Sequence, residues 1–221
     1  MKAMILAAER GERMRPHTDT VPKPLLEVRG KPLIVRLIES LAAAGIRDMV
    51  INHAHLGARI EASLGDGLRF GVRIGYAREA EALETAGGIA KALPLLGDEP
   101  FIVVNGDIYC DFDFSSLARR QLEEDIAHLV LVANPPHHAE GDFTFSDGRV
   151  GEAPAPRLTF SGIGLYRRDL FAEIRPGAKG QLAPLLRAAM AHKRVSGEIH
   201  RGVWHDVGTP ERFAALNERV A

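Results

Sequence analysis

Three features of the sequence predict an α/β fold with a mostly parallel mixed sheet flanked by helices. Short apolar runs recur along the chain, helix-period segments separate them, and charged or glycine-containing loops follow them. Strands buried on both faces read as near-continuous apolar runs, and strands joined through helices lie parallel. The 221 residues, 46% hydrophobic and 26% charged, fit one domain over 1–221 and exclude a disordered or fibrous chain.

Lys2 to Ala8 predicts a buried first strand ending in a charged loop. Pro32 to Ala44 has a helical period through Leu33, Ile34, Leu37, Ile38 and Leu41, and Gly45 follows at a natural C-terminal cap. Asp48 to Asn52 reads as a second strand, Leu56 to Leu64 as a helix and Val72 to Tyr76 as a third strand. A helix is expected through Gly88 to Leu95, and a strand over Phe101 to Val104, stopped by Asn105-Gly106-Asp107. The second half mixes strands at His128 to Val132 and Leu158 to Tyr166 with a hairpin over Glu140 to Val150 that turns at Asp147-Gly148. Helices are expected over Gln181 to His192 and Pro210 to Val220. In such sheets ligands bind beyond the carboxyl ends of the strands, where the loops Glu9 to Pro16 and Asn105 to Asp113 fall.

A formal charge of −1 gives no general attraction to nucleic acid or an anionic membrane, and it leaves room for a small basic pocket for a phosphorylated molecule. No segment approaches the roughly 20 apolar residues needed to span a bilayer. Glu9, Arg10, Glu12, Arg13 and Arg15 interrupt the first apolar run too early for a signal peptide, so a retained N-terminus and a cytoplasmic protein are expected. The single cysteine, Cys110, forms no internal disulfide and has no activating signature nearby.

Three stretches could carry chemistry. The loop Ala8-Glu9-Arg10-Gly11-Glu12-Arg13, followed by Pro22-Lys23-Pro24, could aim backbone N–H groups and two cations, Arg13 and Lys23, at a triphosphate, or could simply be a solvated loop. It is neither a P-loop nor a dinucleotide fingerprint. Asp107, just past a buried strand, suits a hard cation such as Mg²⁺, although Asn-Gly-Asp also suits a plain turn. Asp111-Phe112-Asp113 is a rival acidic pair whose second carboxylate could cap a helix near Phe114. In Trp204-His205-Asp206-Val207-Gly208-Thr209-Pro210 a helix start explains Thr209 and Pro210 and leaves Asp206 unexplained, a candidate for a second metal carboxylate. The pairs His53/His55 and His137/His138 lack the further ligands of a zinc site.

Taken together, the first loop, Pro22-Lys23-Pro24, Leu83-Glu84-Thr85-Ala86-Gly87-Gly88, Val104-Asn105-Gly106-Asp107 and Trp204 to Thr209 occur in the order found in sugar-1-phosphate nucleotidylyltransferases. The resemblance covers essentially the whole chain. Further runs, Ile51-Asn52-His53-Ala54, Gly141-Asp142-Phe143, Thr159 to Ile163 and Leu182 to Leu186, resemble the members that use N-acetylmuramate 1-phosphate in cell-wall recycling. The resemblance implies a Rossmann-like, GT-A-like fold and a Mg²⁺-dependent transfer of UMP from UTP to the sugar 1-phosphate, giving UDP-sugar and pyrophosphate. Nucleic acid and membrane are not expected partners.

The resemblance also implies roles. Arg13, Lys23 and Asp107 are the expected catalytic groups, and Asp107 and Asp206 the Mg²⁺ ligands. Ala8, Gly11, Glu12, Arg13, Lys23, Glu84 and Gly88 are expected around the nucleotide, and Asn105, Asp142 and Gly162 around the sugar. The family pattern has glycine where this chain has Glu9. An outward-turned Glu9 side chain would let binding survive with a local distortion, whereas one that enters the pocket would badly weaken UTP binding and put activity in doubt. The family also tends to have lysine where this chain has Gln181, and Lys179 is a candidate substitute. The alternatives are another sugar-1-phosphate nucleotidylyltransferase, such as one transferring GMP to mannose 1-phosphate, a glycosyltransferase using Asp111 and Asp113, or a non-catalytic nucleotide-binding relative.

Overall fold

A computed structural model describes residues 1–154 and 156–218. The first half runs β1 (Lys2–Leu6), α1 (His17–Thr20), β2 (Glu27–Val28), β3 (Lys31–Pro32), α2 (Leu33–Ala43), β4 (Asp48–His53), α3 (Gly57–Leu64), β5 (Arg73–Arg78), α4 (Glu84–Leu96) and β6 (Phe101–Asn105). The second half runs β7 (Ile108–Cys110), α5 (Ser115–Arg119), β8 (Ala127–Val132), β9 (Phe143–Ser146), β10 (Arg149–Gly151), β11 (Arg157–Tyr166), α6 (Leu182–Ala191), β12 (Val195–Ile199), β13 (Trp204–Asp206) and α7 (Pro210–Glu218). The last two residues of the helix expected over 210–220 lie outside the described residues.

Nine strands form one sheet in the order β5-β4-β1-β6-β11-β8-β12-β10-β9. Side chains alternate across it, as the two-residue strand period requires. Ala3 and Ile5 of β1 and Ile102 and Val104 of β6 join the apolar faces of α2 and α3 in one core. Met4, Phe101 and Val103 point the other way, into a second core with α4 and α6. A smaller third core, including Met14, Leu26, Leu33, Val207 and Leu216, joins the first loop region to α7.

The expectation of a mostly parallel sheet is corrected. β5, β4, β1 and β6 pair in parallel, as does β12 with β8. The pairings β6–β11, β11–β8, β12–β10, β10–β9 and β9–β11 are antiparallel. The sheet is therefore mixed, and β9 bonding to both β10 and β11 partly closes its second half into a ring. The physical reason lies in the connections. Helices return the chain between the first strands, whereas the Asp147-Gly148 turn, with both residues at positive φ, folds β9 directly onto β10. The strand β12 and the β7–β13 pair are absent from the sequence reading. Val-Ser-Gly-Glu-Ile and Trp-His-Asp carry too few apolar residues to stand out as strands.

The sheet order fixes where a ligand can sit. Leu6, at the end of β1, is in register with Asn52 of β4 on one side and Asn105 of β6 on the other. Three parallel strands thus end together, and the loops leaving them surround one hollow.

Candidate active site

That hollow is a cavity of about 620 Å³, within the range usual for small-molecule sites. Leu6, Ala7, Ala8 and Glu9 form one wall, Ala82, Glu84 and Thr85 a second, and Gln181, Leu182, Ala183 and Leu186 a third. Asn52, Asn105 and Asp107 come from the strand ends, and Asp142, Phe143 and Phe160 from the second half of the sheet. Phe143, Phe160, Leu182 and Leu186 form an apolar wall; they lie in runs that carry the family resemblance, but no site role was expected of them.

Lys23 is the polar centre. It is 2% exposed, and its Nζ donates to Asp107 Oδ2 at 2.5 Å and to Glu9 Oε2 at 3.2 Å. Burial alone would lower its pKa, but the two carboxylates outweigh that and raise it, so the ammonium stays charged. Local geometry holds it there. Pro22 and Pro24 flank it in a short 3₁₀ turn, and the Thr18 hydroxyl closes the loop by donating to Gly11 O at 2.8 Å.

Glu9 faces the cavity, at its mouth, with its side chain 63% exposed. Its φ is not positive, so the backbone there has no need of glycine. The consequence of this residue is therefore charge beside Lys23, not strain.

Asn105 and Gly162 form a pair. Gly162 sits in a bulge of β11 at φ +80°, and a Cβ there would lie 2.5 Å from Asn105 Nδ2. The missing side chain leaves room for Asn105 at the cavity edge. The bulge is fixed by Trp204, whose Nε1–H donates to Ser161 O at 2.9 Å. Bulges of this kind re-aim side chains beside sites. Asp142 Oδ2 accepts from Phe160 N–H at 2.8 Å, and Oδ1 lies 3.0 Å from His138 Nε2.

Of the residues expected around the ligands, Ala8, Lys23, Glu84, Asn105, Asp107 and Asp142 meet in the cavity lining, whereas Gly11, Glu12, Arg13, Gly88, Gly162 and Asp206 do not line it. Arg13 is exposed and has no ion pair among the described residues, and Glu12 pairs with Arg10 and Arg15. Lys179 pairs with Glu81 at 2.8 Å, while Gln181 itself lines the cavity.

Asp206 stands opposite Ile108 where β13 pairs with β7, and Val207 N–H donates to Asp107 O at 3.0 Å. The two acidic residues expected to hold a metal are therefore neighbours along the backbone, Asp107 in the turn that enters β7 and Asp206 at the end of β13. Asp206 is bonded to Arg212 and lies 3.0 Å from His137 Nε2. Among the described residues, no group of three or more His, Cys, Asp or Glu gathers as a metal cluster. Two carboxylates at one sheet end fit Mg²⁺, which takes one or two carboxylates and completes its shell with water and phosphate oxygens.

The rival acidic pair lies elsewhere. Asp111 lines a separate cavity of about 360 Å³ and is 2.9 Å from His200 Nε2. The Asp113 carboxyl is held below the usual range by hydrogen bonds to the Ser115 side chain and then to its backbone N–H, which donates to Oδ1 at 2.9 Å. Burial pushes the Cys110 thiol up to about 11, so it is no nucleophile at neutral pH. His53 is buried, with Nε2 2.7 Å from Glu61 Oε1 and its ring against Tyr76.

The family described as Nucleotidyl transferase matches residues 2–221. The chain belongs to that family. It is 56% identical over 216 residues to the N-acetylmuramate alpha-1-phosphate uridylyltransferase of Neisseria meningitidis serogroup B, covering 95% of this chain and 94% of that protein. It is 40% identical to the mannose-1-phosphate guanylyltransferase catalytic subunit beta of Danio rerio, over 96% of this chain but 62% of that protein. In fold it is similar to a putative glucose-1-phosphate thymidylyltransferase from Bacillus anthracis. The TM-score is 0.86 at 24% identity, covering 98% of this chain and 94% of that one. No helix among the described residues is long and apolar enough to cross a membrane.

Proposed function

We propose that this chain transfers UMP from UTP to N-acetylmuramate 1-phosphate, giving UDP-N-acetylmuramate and pyrophosphate. The observation that carries the reading is the near-full-length 56% identity to a uridylyltransferase of that specificity. The guanylyltransferase match is weaker and spans only part of its relative. A reaction that consumes UTP belongs in the cytoplasm.

In the reaction a phosphate oxygen of the sugar 1-phosphate attacks the α-phosphorus of UTP. The new P–O bond forms as the bond to the β-phosphate oxygen breaks, and pyrophosphate leaves. The protein supplies no nucleophile. Its work is alignment of two anions and neutralisation of charge as it develops. Lys23, buried and held charged, stabilises the α-phosphate. Arg13, exposed and without an ion pair among the described residues, holds the departing pyrophosphate. Ala8, Gly11, Glu12, Glu84 and Gly88 shape the nucleotide side, and Asn105, Asp142 and Gly162 shape the sugar side. Asp107 and Asp206 would hold Mg²⁺, which when bound neutralises phosphate oxygens. For that, Lys23 and Arg212 must yield their present hold on the two carboxylates.

The test is pyrophosphate release measured with a panel of nucleoside triphosphates and sugar 1-phosphates. The expected outcome is turnover with UTP and N-acetylmuramate 1-phosphate above all other pairs. A GTP preference, or UTP binding without turnover, rejects the reading.

A further inference from the structure

Two polar side chains to which the sequence reading gave no role are buried at the cavity: Asn52 lines it, and Glu79 is bonded to Asn52. Asn52 is 2% exposed and Glu79 is 6% exposed. Asn52 Oδ1 accepts from Ala7 N–H at 3.0 Å, and its Nδ2 donates to Glu79 Oε1 at 2.7 Å. Glu79 Oε2 accepts from Leu83 N–H at 2.9 Å. Leu83 O in turn accepts from Gly180 N–H at 3.0 Å, and Gly180 O accepts from Ala86 and Gly87 N–H. The chain of bonds Ala7–Asn52–Glu79–Leu83–Gly180 thus touches the start of all three cavity walls.

The chemistry of this chain is specific. Leu83 N–H and Asn52 Nδ2 are both donors, so the residue between them needs two acceptors and no donor. Only a carboxylate provides that. Gly88 makes the packing possible, since a Cβ there would lie 2.7 Å from Asn52 Nδ2 and 2.8 Å from Glu79 Oε1. This gives Gly88 a reason to be glycine, although it does not line the cavity.

We propose that Asn52 and Glu79 are positioning residues: they lock the Ala7–Glu9 wall to the Ala82–Thr85 wall and so hold the nucleotide pocket in its binding shape. The effect on nucleotide rests on the reading that UTP occupies this cavity. The mechanical link between the walls does not.

The substitution Glu79→Gln places a donor against a donor, at either Asn52 or Leu83, in a buried site. Asn52→Asp alone sets two carboxylates against each other. Combined, the two changes restore every bond with reversed polarity. The carboxylate at position 52 accepts from Ala7 N–H and from the new amide at position 79, whose oxygen accepts from Leu83 N–H.

Hydrogen exchange of the ligand-free full chain and calorimetric titration with UTP test this together. Glu79→Gln is expected to speed exchange over 80–86 and also over 8–16 by about tenfold, and to weaken UTP binding by about tenfold. The double variant is expected to recover most of both. Unchanged exchange over 8–16 in Glu79→Gln, or a double variant no better than the singles, overturns the proposal. If the unmodified protein takes up no UTP, the UTP reading fails, and the exchange comparison still decides whether the walls are linked.

Discussion

Glu9→Gly removes a carboxylate that sits 3.2 Å from the Lys23 ammonium. The pair is asymmetric: the lysine side chain is 3% exposed and the glutamate side chain 63%. Two unit charges at such a distance interact by about 1 kcal/mol in water and by roughly 4 kcal/mol in the less polar setting of a protein surface. Because the glutamate is largely solvated, the lower figure applies, and exposed pairs measure up to about 1 kcal/mol. A phosphate arriving at Lys23 must displace this partner or share the ammonium with it. Removing the carboxylate should therefore lower the KM for UTP about fivefold, with kcat changed less than about twofold. Glu9→Gln should move KM in the same direction, because the charge matters here and the backbone at position 9 is unstrained. The assay is initial-rate pyrophosphate release over a UTP series, at fixed sugar phosphate and Mg²⁺ and at two ionic strengths. The gap from the unmodified enzyme should narrow at the higher salt. A KM in both variants equal to or above that of the parent refutes the reasoning.

Other outcomes follow from the same geometry. Asp107→Asn should reduce kcat/KM by about two orders of magnitude or more, while Asp111→Asn, in the other cavity, should stay within about twofold. The reverse order would favour a glycosyltransferase. Gly162→Ala forces a methyl group to within 2.5 Å of Asn105 Nδ2 at φ +80°. It should raise the KM for the sugar 1-phosphate by about tenfold or more while sparing that for UTP, and cost about 1–3 kcal/mol of stability in thermal melts. The Glu61 carboxyl is held down to about 2, chiefly by its hydrogen bonds to Arg78 at 2.6 Å. A depressed folded-state pKa contributes stability that is present above the ordinary value of 4.5 and fades as pH falls toward 2. Glu61→Gln should thus lower Tm at neutral pH and flatten the acid side of a Tm-against-pH curve over that interval.

The parts legible in the sequence were those that local pattern dictates. The period of Leu33, Ile34, Leu37, Ile38 and Leu41 marks α2 because the last four share one face over the sheet, while Leu33 at the helix start packs into the third core. Asp107 stands out because a charge ends an apolar run. The antiparallel half was less legible, since β12 is half-exposed, with Ser196, Gly197 and Glu198 among its five residues. Helix α4 begins at Glu84, earlier than expected, because Gly87 packs against backbone at Ala178 and Gly180 and is a contact point, not a helix breaker. Asn52 and Glu79 carry no local signature. Their meaning is the bond between them, across residues that only the fold brings together.

The charges of the cleft are balanced before any ligand arrives. Lys23 is shared by Asp107 and Glu9, Asp206 is held by Arg212 beside His137, and Asp142 faces His138. On the proposed reading, uptake of a triphosphate is then an exchange of partners rather than the filling of a bare positive pocket: Lys23 would trade carboxylate for phosphate, and Asp107 would release it. Arg13 is the exception, being exposed and without an ion pair among the described residues. It can meet a phosphate without first giving up a bond, so it is suited to first contact, and the buried Lys23 to the later step in which charge develops. That division predicts different signatures for the two cations. Arg13→Ala should slow UTP association and weaken its salt dependence, as rim charges do, whereas Lys23→Ala should lower kcat, because on the proposed reading it removes charge beside the reacting phosphorus, and it leaves the part-buried Asp107 without its partner.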